Sequence, residues 1–237
     1  MRISELTSRA FSSLRDESPV ALLPIGTVEA HGMHAPLGTD IVIPVEIGRR
    51  VERADPKRFL LLPEIPYGHS WDLEPFAGTV DVPAQPFLGY VSAVAVALVR
   101  AGLPRQIWLN GHGGNNGALT LAAEEAAEAG GAVVVVHWWM DFRREIDDII
   151  AGAGHAGADE TAAVMAIDPS WVHLEDTPDA PPPRLARVTY KELAGRESRF
   201  PGAVNGEPRQ ATPEKGEALL AMCARRVREI AAESFSA

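Results

Sequence analysis

One cysteine, Cys223, stands in 237 residues. A single thiol closes no intramolecular disulfide, so the fold must be held by its core, and a reducing compartment suits it. The chain also lacks an apolar run long enough to cross a membrane. Its longest uncharged stretch, residues 82–99, is interrupted by Pro83, Gln85, Pro86 and Gly89 and reads as a loop entering a core helix. The first five residues lack the apolar centre of a secretory signal, and the expected location is cytoplasmic. Positive charge is in the minority: 22 Lys and Arg stand against 32 Asp and Glu, a net charge of −10. A chain of that sign repels phosphate backbones, which argues against a nucleic-acid partner. Internal repeats and like-charged tails are absent as well.

What is present is ample core material, 46% hydrophobic residues, in a length that suits one large α/β domain over residues 1–237. Apolar runs at 19–25, 58–62, 106–109 and 132–136 read as strands. The valines 133–136 show no alternation, which predicts a parallel strand covered on both faces. Helical patterns separate and follow them: 4–15, 41–53, a buried helix at 87–102, 117–129 ending at Gly130-Gly131, and 159–167. A last helix at 213–233 carries Thr212 as N-cap, Pro213 in its first turn, and Leu219, Cys223, Val227 and Ile230 on its inner face. Strand and helix in alternation predict an α/β fold, with a mostly parallel central sheet flanked by helices on both faces. Residues 175–210, with Pro178 and Pro181 to Pro183, read as an irregular excursion with a short strand at 188–193.

Polar clusters follow the strands, where open α/β sheets bind their ligands. After the first strand comes Glu29-x-His31-Gly32-x-His34-x-Pro36-Leu37-x-Thr39-Asp40. Glu29 and His31 are two apart, so in an extended segment both point to one side. Carboxylate and imidazole donors of this kind suit Zn²⁺, Mn²⁺ or Fe²⁺. The second cluster is Asn110-Gly111-His112-Gly113-Gly114-Asn115, and the third is His155-Ala156-Gly157-x-x-Glu160-Thr161. The glycines of the second also suit a phosphate cradle, but the Lys-Ser/Thr of a P-loop is missing.

Together the three ordered motifs resemble the creatininase (creatinine amidohydrolase) family, over a span from about Leu22 to Gly216. The resemblance implies a creatininase-like fold and a two-metal hydrolase, commonly hexameric, acting on non-peptide C–N bonds. Residue by residue it implies that Asp40 bridges two divalent ions, that Glu29 and His112 complete one site, and that His31 belongs to the other. In creatininase itself a Tyr-Glu pair follows Asn-Gly-His and its Glu is a metal ligand; Gly113 and Gly114 stand there in this chain. The resemblance then points to Glu160 as the replacement carboxylate on the second ion, and to His155 as the catalytic histidine. Asp159 is the competitor, but it would point about 100° round a helix from Glu160.

Other residues follow from position. His69 and Ser70 follow Tyr67-Gly68, a place where, by the same resemblance, family members line the substrate pocket. Asn110 and Asn115 offer amides to substrate or ligands, and Trp138 or Trp139 could wall the pocket. His34 reads as a supporting imidazole, and His155 or Glu160 as the group that moves the proton, for which a pKa near neutral would suit His155. The expected reaction is metal-assisted hydrolysis of a small amide, cyclic amide or formamide. A peptidase, a lactonase, or a non-catalytic metal-binding oligomer are the rivals. Phe200 and Val204 have no evident core role, which with the resemblance argues for a homo-oligomer, a hexamer in the family pattern.

Overall fold

Four short apolar runs form one parallel sheet: β1 (Val20–Ile25), β2 (Phe59–Leu61), β3 (Arg105–Asn110) and β4 (Ala132–His137), in the order β2-β1-β3-β4. The computed structural model describes residues 1–179 and 200–235. Period-two alternation sorts each strand between two cores. Val20 and Leu22 of β1 face one side, and Ala21, Leu23 and Ile25 the other. A one-residue slip would exchange these faces, and each fully buried aliphatic side chain contributes roughly 1.5–3 kcal/mol. The register of β1 between its neighbours, Leu22 opposite Leu61 and Ile107, is set by that packing.

Helices cover both faces, as expected. One face packs α1 (Ser8–Asp16), α3 (Ala84–Arg100) and α4 (Asn116–Glu128), through Leu14, Phe87, Val91, Leu119 and Ala122. The other packs α2 (Thr39–Ala54), α5 (Trp138–Asp141), α6 (Arg143–Ile149), α7 (Ala158–Ile167) and α8 (Pro213–Ser234). Helices α7 and α8 lie very close. A Cβ added at Gly216 would sit 1.8 Å from the Ala162 carbonyl oxygen, so the contact requires glycine there. The Thr212 hydroxyl accepts from Lys215 N–H at 3.3 Å and caps α8, with Pro213 in the first turn.

Several expectations need correction. The valine strand β4 is an edge strand: only Val136 is fully buried, and Val133 to Val135 are half-buried against the two cores. Helix α3 is buried along one face only, with Tyr90 57% exposed. Ile230 of α8 is half-buried, while Leu219, Cys223 and Val227 are fully buried. The short helices α5 and α6 were not anticipated; four and seven residues are too few to show a period. Within 175–210 the described parts are short 3₁₀ turns, Leu174–Asp176, Pro201–Ala203 and Pro208–Gln210, and the strand expected at 188–193 lies outside the described residues. No helix among the described residues is long and apolar enough to cross a membrane.

Candidate metal centre

Because all four strands run the same way, β1 and β3 deliver their following loops to one sheet edge. Helix α2 starts there at Thr39, so Asp40 sits in the helix's first turn rather than in the loop expected from the sequence. A helix N-terminus favours an anion at that place. The approach of α2 to the strand tips depends on two glycines. A Cβ at Gly26 would lie 2.3 Å from the Asp40 carbonyl oxygen, and one at Gly111 would lie 2.0 Å from the same atom. With any other residue at either strand end, Asp40 could not come down between them.

The side chains gather in overlapping groups. Glu29, Asp40 and His112 each offer a donor atom, all within 4.8 Å of one another. His31, Asp40 and Glu160 do the same within that span, as do Glu29, His31 and His155. Asp40 is common to the first two groups and uses different oxygens: Oδ2 lies 3.0 Å from His112 Nδ1, and Oδ1 lies 3.1 Å from His31 Nε2. Glu29 Oε1 is 3.2 Å from His112 Nδ1, and Glu160 Oε2 is 3.4 Å from His31 Nε2. These groups are buried, with Glu29 and His31 wholly so.

Backbone carbonyls set which nitrogen of each imidazole faces the acids. His112 Nε2–H donates to the His69 carbonyl at 2.9 Å, and His31 Nδ1–H donates to the Glu29 carbonyl at 3.1 Å. The remaining nitrogens therefore turn lone pairs toward carboxylate oxygens. Lone pairs converging on lone pairs need a positive charge between them. Glu29 Oε1 is buried without a hydrogen-bond donor, which marks the same need. Either protons or divalent ions could supply that charge, and the oxygen and nitrogen donor set fits Zn²⁺, Mn²⁺ or Fe²⁺.

The electrostatics agree. Burial alone would raise the Asp40 carboxyl, but His31 and His112 hold it well below the usual carboxylate range. Burial would lower both imidazoles, yet Asp40 holds His31, and Glu29 with Asp40 holds His112, well above the ordinary histidine value. Burial raises Glu29 against the opposing pull of His112, and raises Glu160 against that of His31. The pocket is thus a trap for positive charge.

Other contacts hold these donors in place. The Ser70 hydroxyl donates to Glu29 Oε2. Asp81 accepts from Ser70 N–H at 2.8 Å, and its Oδ1 lies 3.1 Å from His69 Nδ1. Glu160 Oε2 accepts from Ala156 N–H at 2.6 Å, and Ala156 has φ +51°, a left-handed turn that aims this N–H at the helix start. Asp159 instead accepts from Gly154 N–H at 2.9 Å and joins none of the donor groups. At Gly114 a Cβ would lie 2.0 Å from the His69 carbonyl oxygen. That carbonyl occupies the space a side chain at 114 would need, so a carboxylate there is excluded by the same contact that orients His112.

His155 lies over His31, ring centroids 4.4 Å apart, with Phe200 edge-on at 5.3 Å. Its Nε2–H donates to the Ala30 carbonyl at 3.0 Å, and Nδ1 is 3.5 Å from Glu29 Oε1. Burial, followed by the charge on His31, pushes its pKa down to about 4 rather than leaving it near neutral as expected. His34 is apart from the donor groups: Nε2 is 3.2 Å from Thr161 Oγ1, and burial lowers its pKa to about 4.

A cavity of about 490 Å³ opens above Glu29, Asp40, His112 and Glu160. His69, Ser70 and Trp139 line it, whereas Asn110, Asn115 and Trp138 do not. The two asparagines are wholly buried and tie the loops together. Asn110 Nδ2–H donates to the His112 carbonyl at 2.8 Å, and Asn115 Oδ1 accepts from His69 N–H at 2.9 Å. Trp138 is a core residue, 2% exposed. Phe200 and Val204 both have partners inside the chain, Phe200 at His155 and Val204 only 8% exposed, which removes them as evidence of an interface. Sequence reasoning missed Trp71, Leu73 and Arg143 on the cavity wall. Trp71 and Leu73 directly follow the flagged loop, so an aromatic next to His69-Ser70 was a usable signal; Arg143 had none.

Comparison with known proteins bears on the same residues. The family model described as creatinine amidohydrolase matches residues 4–231. A mycofactocin precursor peptide peptidase of Mycobacterium tuberculosis (strain CDC 1551 / Oshkosh) is 30% identical over 246 residues, covering 95% of this chain and 91% of that protein. Among solved structures, a mutant creatininase of Zn–Zn type superposes with a TM-score of 0.86 at 26% identity, covering 100% of this chain and 98% of that one. A manganese creatininase gives the same score and identity over 99% of its own chain.

Proposed function

The chain belongs to the creatininase family and is a metal-dependent hydrolase, and from that premise we propose that it uses two divalent ions to cleave the C–N bond of a small amide, cyclic amide or formamide. The observation that carries the reading is the pair of three-donor groups that meet at Asp40 through separate carboxylate oxygens. Two cations held about 3.5–4 Å apart need a shared anion between them. Glu29, Asp40 and His112 would hold one ion, and His31, Asp40 and Glu160 the other. Such ions, when bound, polarise a carbonyl and lower the pKa of a water.

The chain's own groups do the rest. Ser70 fixes the free rotation of Glu29, and the His69 carbonyl fixes the tautomer of His112. His155 presents the Nδ1 lone pair, because Nε2–H is committed to Ala30. Burial disfavours its charged form, so this lone pair is open to accept a proton and pass it on to the leaving nitrogen. Phe200 packs edge-on against the His155 ring and holds it in place.

A second reading, peptide-bond cleavage, draws support from the 30% identity to a peptidase over nearly the whole chain. The experiment that tests both is turnover by Zn²⁺-, Mn²⁺- and Fe²⁺-loaded protein of a panel of formamides, cyclic ureides, lactams, lactones and short peptides. Hydrolysis of the small amides with inert peptides supports the first reading, and the reverse pattern supports the second. No turnover of any member by protein holding two ions per chain would contradict both. Creatinine is expected to be a poor substrate, since Gly113-Gly114 stands where creatininase has a Tyr-Glu pair, which removes one wall that could contact a planar ring. A kcat/KM for creatinine on the order of 10⁴ M⁻¹s⁻¹ or more would overturn that. A closed homo-oligomer is proposed on the family pattern and on exposed apolar residues such as Met33 and Met140; a stable monomer in light scattering at micromolar concentration would contradict it.

A further inference from the structure

Amid the acids that line the cavity, one guanidinium stands among the described residues, Arg143 at the start of α6. Its Nε donates to Asp147 Oδ1 at 2.8 Å, one helical turn on. That contact uses the side of the guanidinium and holds it in place. Its charge also reaches Asp159 across the cavity, but among the described residues neither Nη group is hydrogen-bonded, and the side chain is half exposed at the cavity wall. An Arg anchored through Nε and open at its Nη fork presents two parallel N–H donors, the geometry that matches a carboxylate. Around it the cavity is aromatic, with Trp71, Trp139 and Phe200 on the walls. The floor holds Glu29, Asp40 and Glu160, and Asp72 and Asp159 also face the space. A planar carboxylate, with two oxygens set to meet both Nη groups at once, is the ligand that fits such a fork.

We propose that Arg143 makes the cavity selective for amides that carry a carboxylate on an apolar or aromatic body, with the amide over the donor groups and the carboxylate on the Nη fork. This rests on the hydrolase reading above and names its substrate class. The acylated amino acid and the free C-terminal end of a peptide share this chemistry. Arg143 acts in recognition and positioning rather than in proton transfer.

The test uses metal-loaded full-length protein and two matched probe pairs: N-benzoylglycine against N-benzoylglycinamide, and N-benzoylglycyltyrosine against its C-terminal amide. Binding is read from the fluorescence of the cavity tryptophans, and hydrolysis is followed in the same samples. Wild-type protein is expected to bind at least one free acid about tenfold more tightly than its amide, the lower end for hydrogen bonds to a charged group. Arg143→Gln should bring that ratio to about one while the affinity for the amide stays unchanged, and Arg143→Lys should keep part of the preference. Which pair shows the effect separates the acylated amino acid from the peptide end. A ratio near one in wild-type protein, or a preference that survives in Arg143→Gln with an unchanged melting temperature, would overturn the proposal; the second result would mean that the carboxylate sits on the metal centre instead. Selective binding without hydrolysis would leave the Arg143 assignment standing and count against the hydrolase reading, whereas hydrolysis without acid preference would do the opposite.

Discussion

The two donor groups that share Asp40 are built from different kinds of structure. Glu29 and His112 come from loops directly after β1 and β3, adjacent strands in one sheet, and each is braced from outside the group: Glu29 by the Ser70 hydroxyl, His112 by the His69 carbonyl. His31 and Glu160 depend on a more distant meeting. His31 leans on the Glu29 carbonyl, and Glu160 arrives on α7, which is held to the sheet through packing with α2 and α8. Its brace is a single N–H from a strained turn at Ala156. The first group is an outcome of sheet geometry, and the second of helix packing. The first should therefore be the tighter, and the second the one that variants can empty by itself.

Asp40→Asn should have the largest effect, because it weakens both groups together. Bound metal should fall from two ions per chain towards none, and activity should fall by more than the 10–100-fold typical of a supporting residue. Elemental analysis with kinetics checks it, and retention of both ions would remove Asp40 from the shared position. Glu160→Gln should separate the two groups: one ion retained, one lost, activity gone, and the fold intact by circular dichroism. Two tightly held ions with activity abolished would instead make Glu160 an acid/base group.

Ser70→Ala removes a brace and no donor atom. The expected result is a loss of roughly 10–100-fold in affinity for the first ion alone, read by chelator competition, with the second ion unaffected. Equal weakening of both ions would mean the groups are not separately supported. The smallest effect lies far from the centre, where Arg50 of α2 pairs through both Nη groups with Glu217 of α8, each at 2.7 Å. Arg50 holds the Glu217 carboxyl below its ordinary value. The pair's contribution is thus present above the unfolded-state pKa and lost as pH falls through the lower folded one. Glu217 is 60% exposed, so Glu217→Gln should cost only about 0.2–1 kcal/mol at neutral pH. The difference from wild type should vanish in acid. A difference that grows on acidification would contradict the sign.

Much of this was legible in the chain itself. The alternating strands and helices, the Thr212–Pro213 start of α8, and the clustering of His and acids after strands depend on local propensity and periodicity. Those are properties of neighbouring residues. The sequence also carried the three motifs whose donors meet at the centre, because each motif is short and local. It did not show where helix α2 begins. Gly38, without a side chain to cap, and Thr39 gave a weak boundary, so Asp40 read as loop. It did not show that β4 lies at an edge, since strand order is decided by packing between distant segments.

The tertiary structure alone decided three things. It set which imidazole nitrogen faces the acids, because that depends on carbonyls of residues far along the chain or on the local turn, such as His69 for His112. It separated Asn110, Asn115 and Trp138 from the cavity and brought Trp71 and Arg143 to it, because which side chains turn inward is settled by close packing of the loops over the strand ends. And it lowered His155 to about 4, because burial beside His31 is a property of the assembled site and not of any residue type. The residues that can bind and react were fixed by composition and order along the chain; which atoms of them do so is a matter of distance and desolvation, and those exist only once the chain has folded.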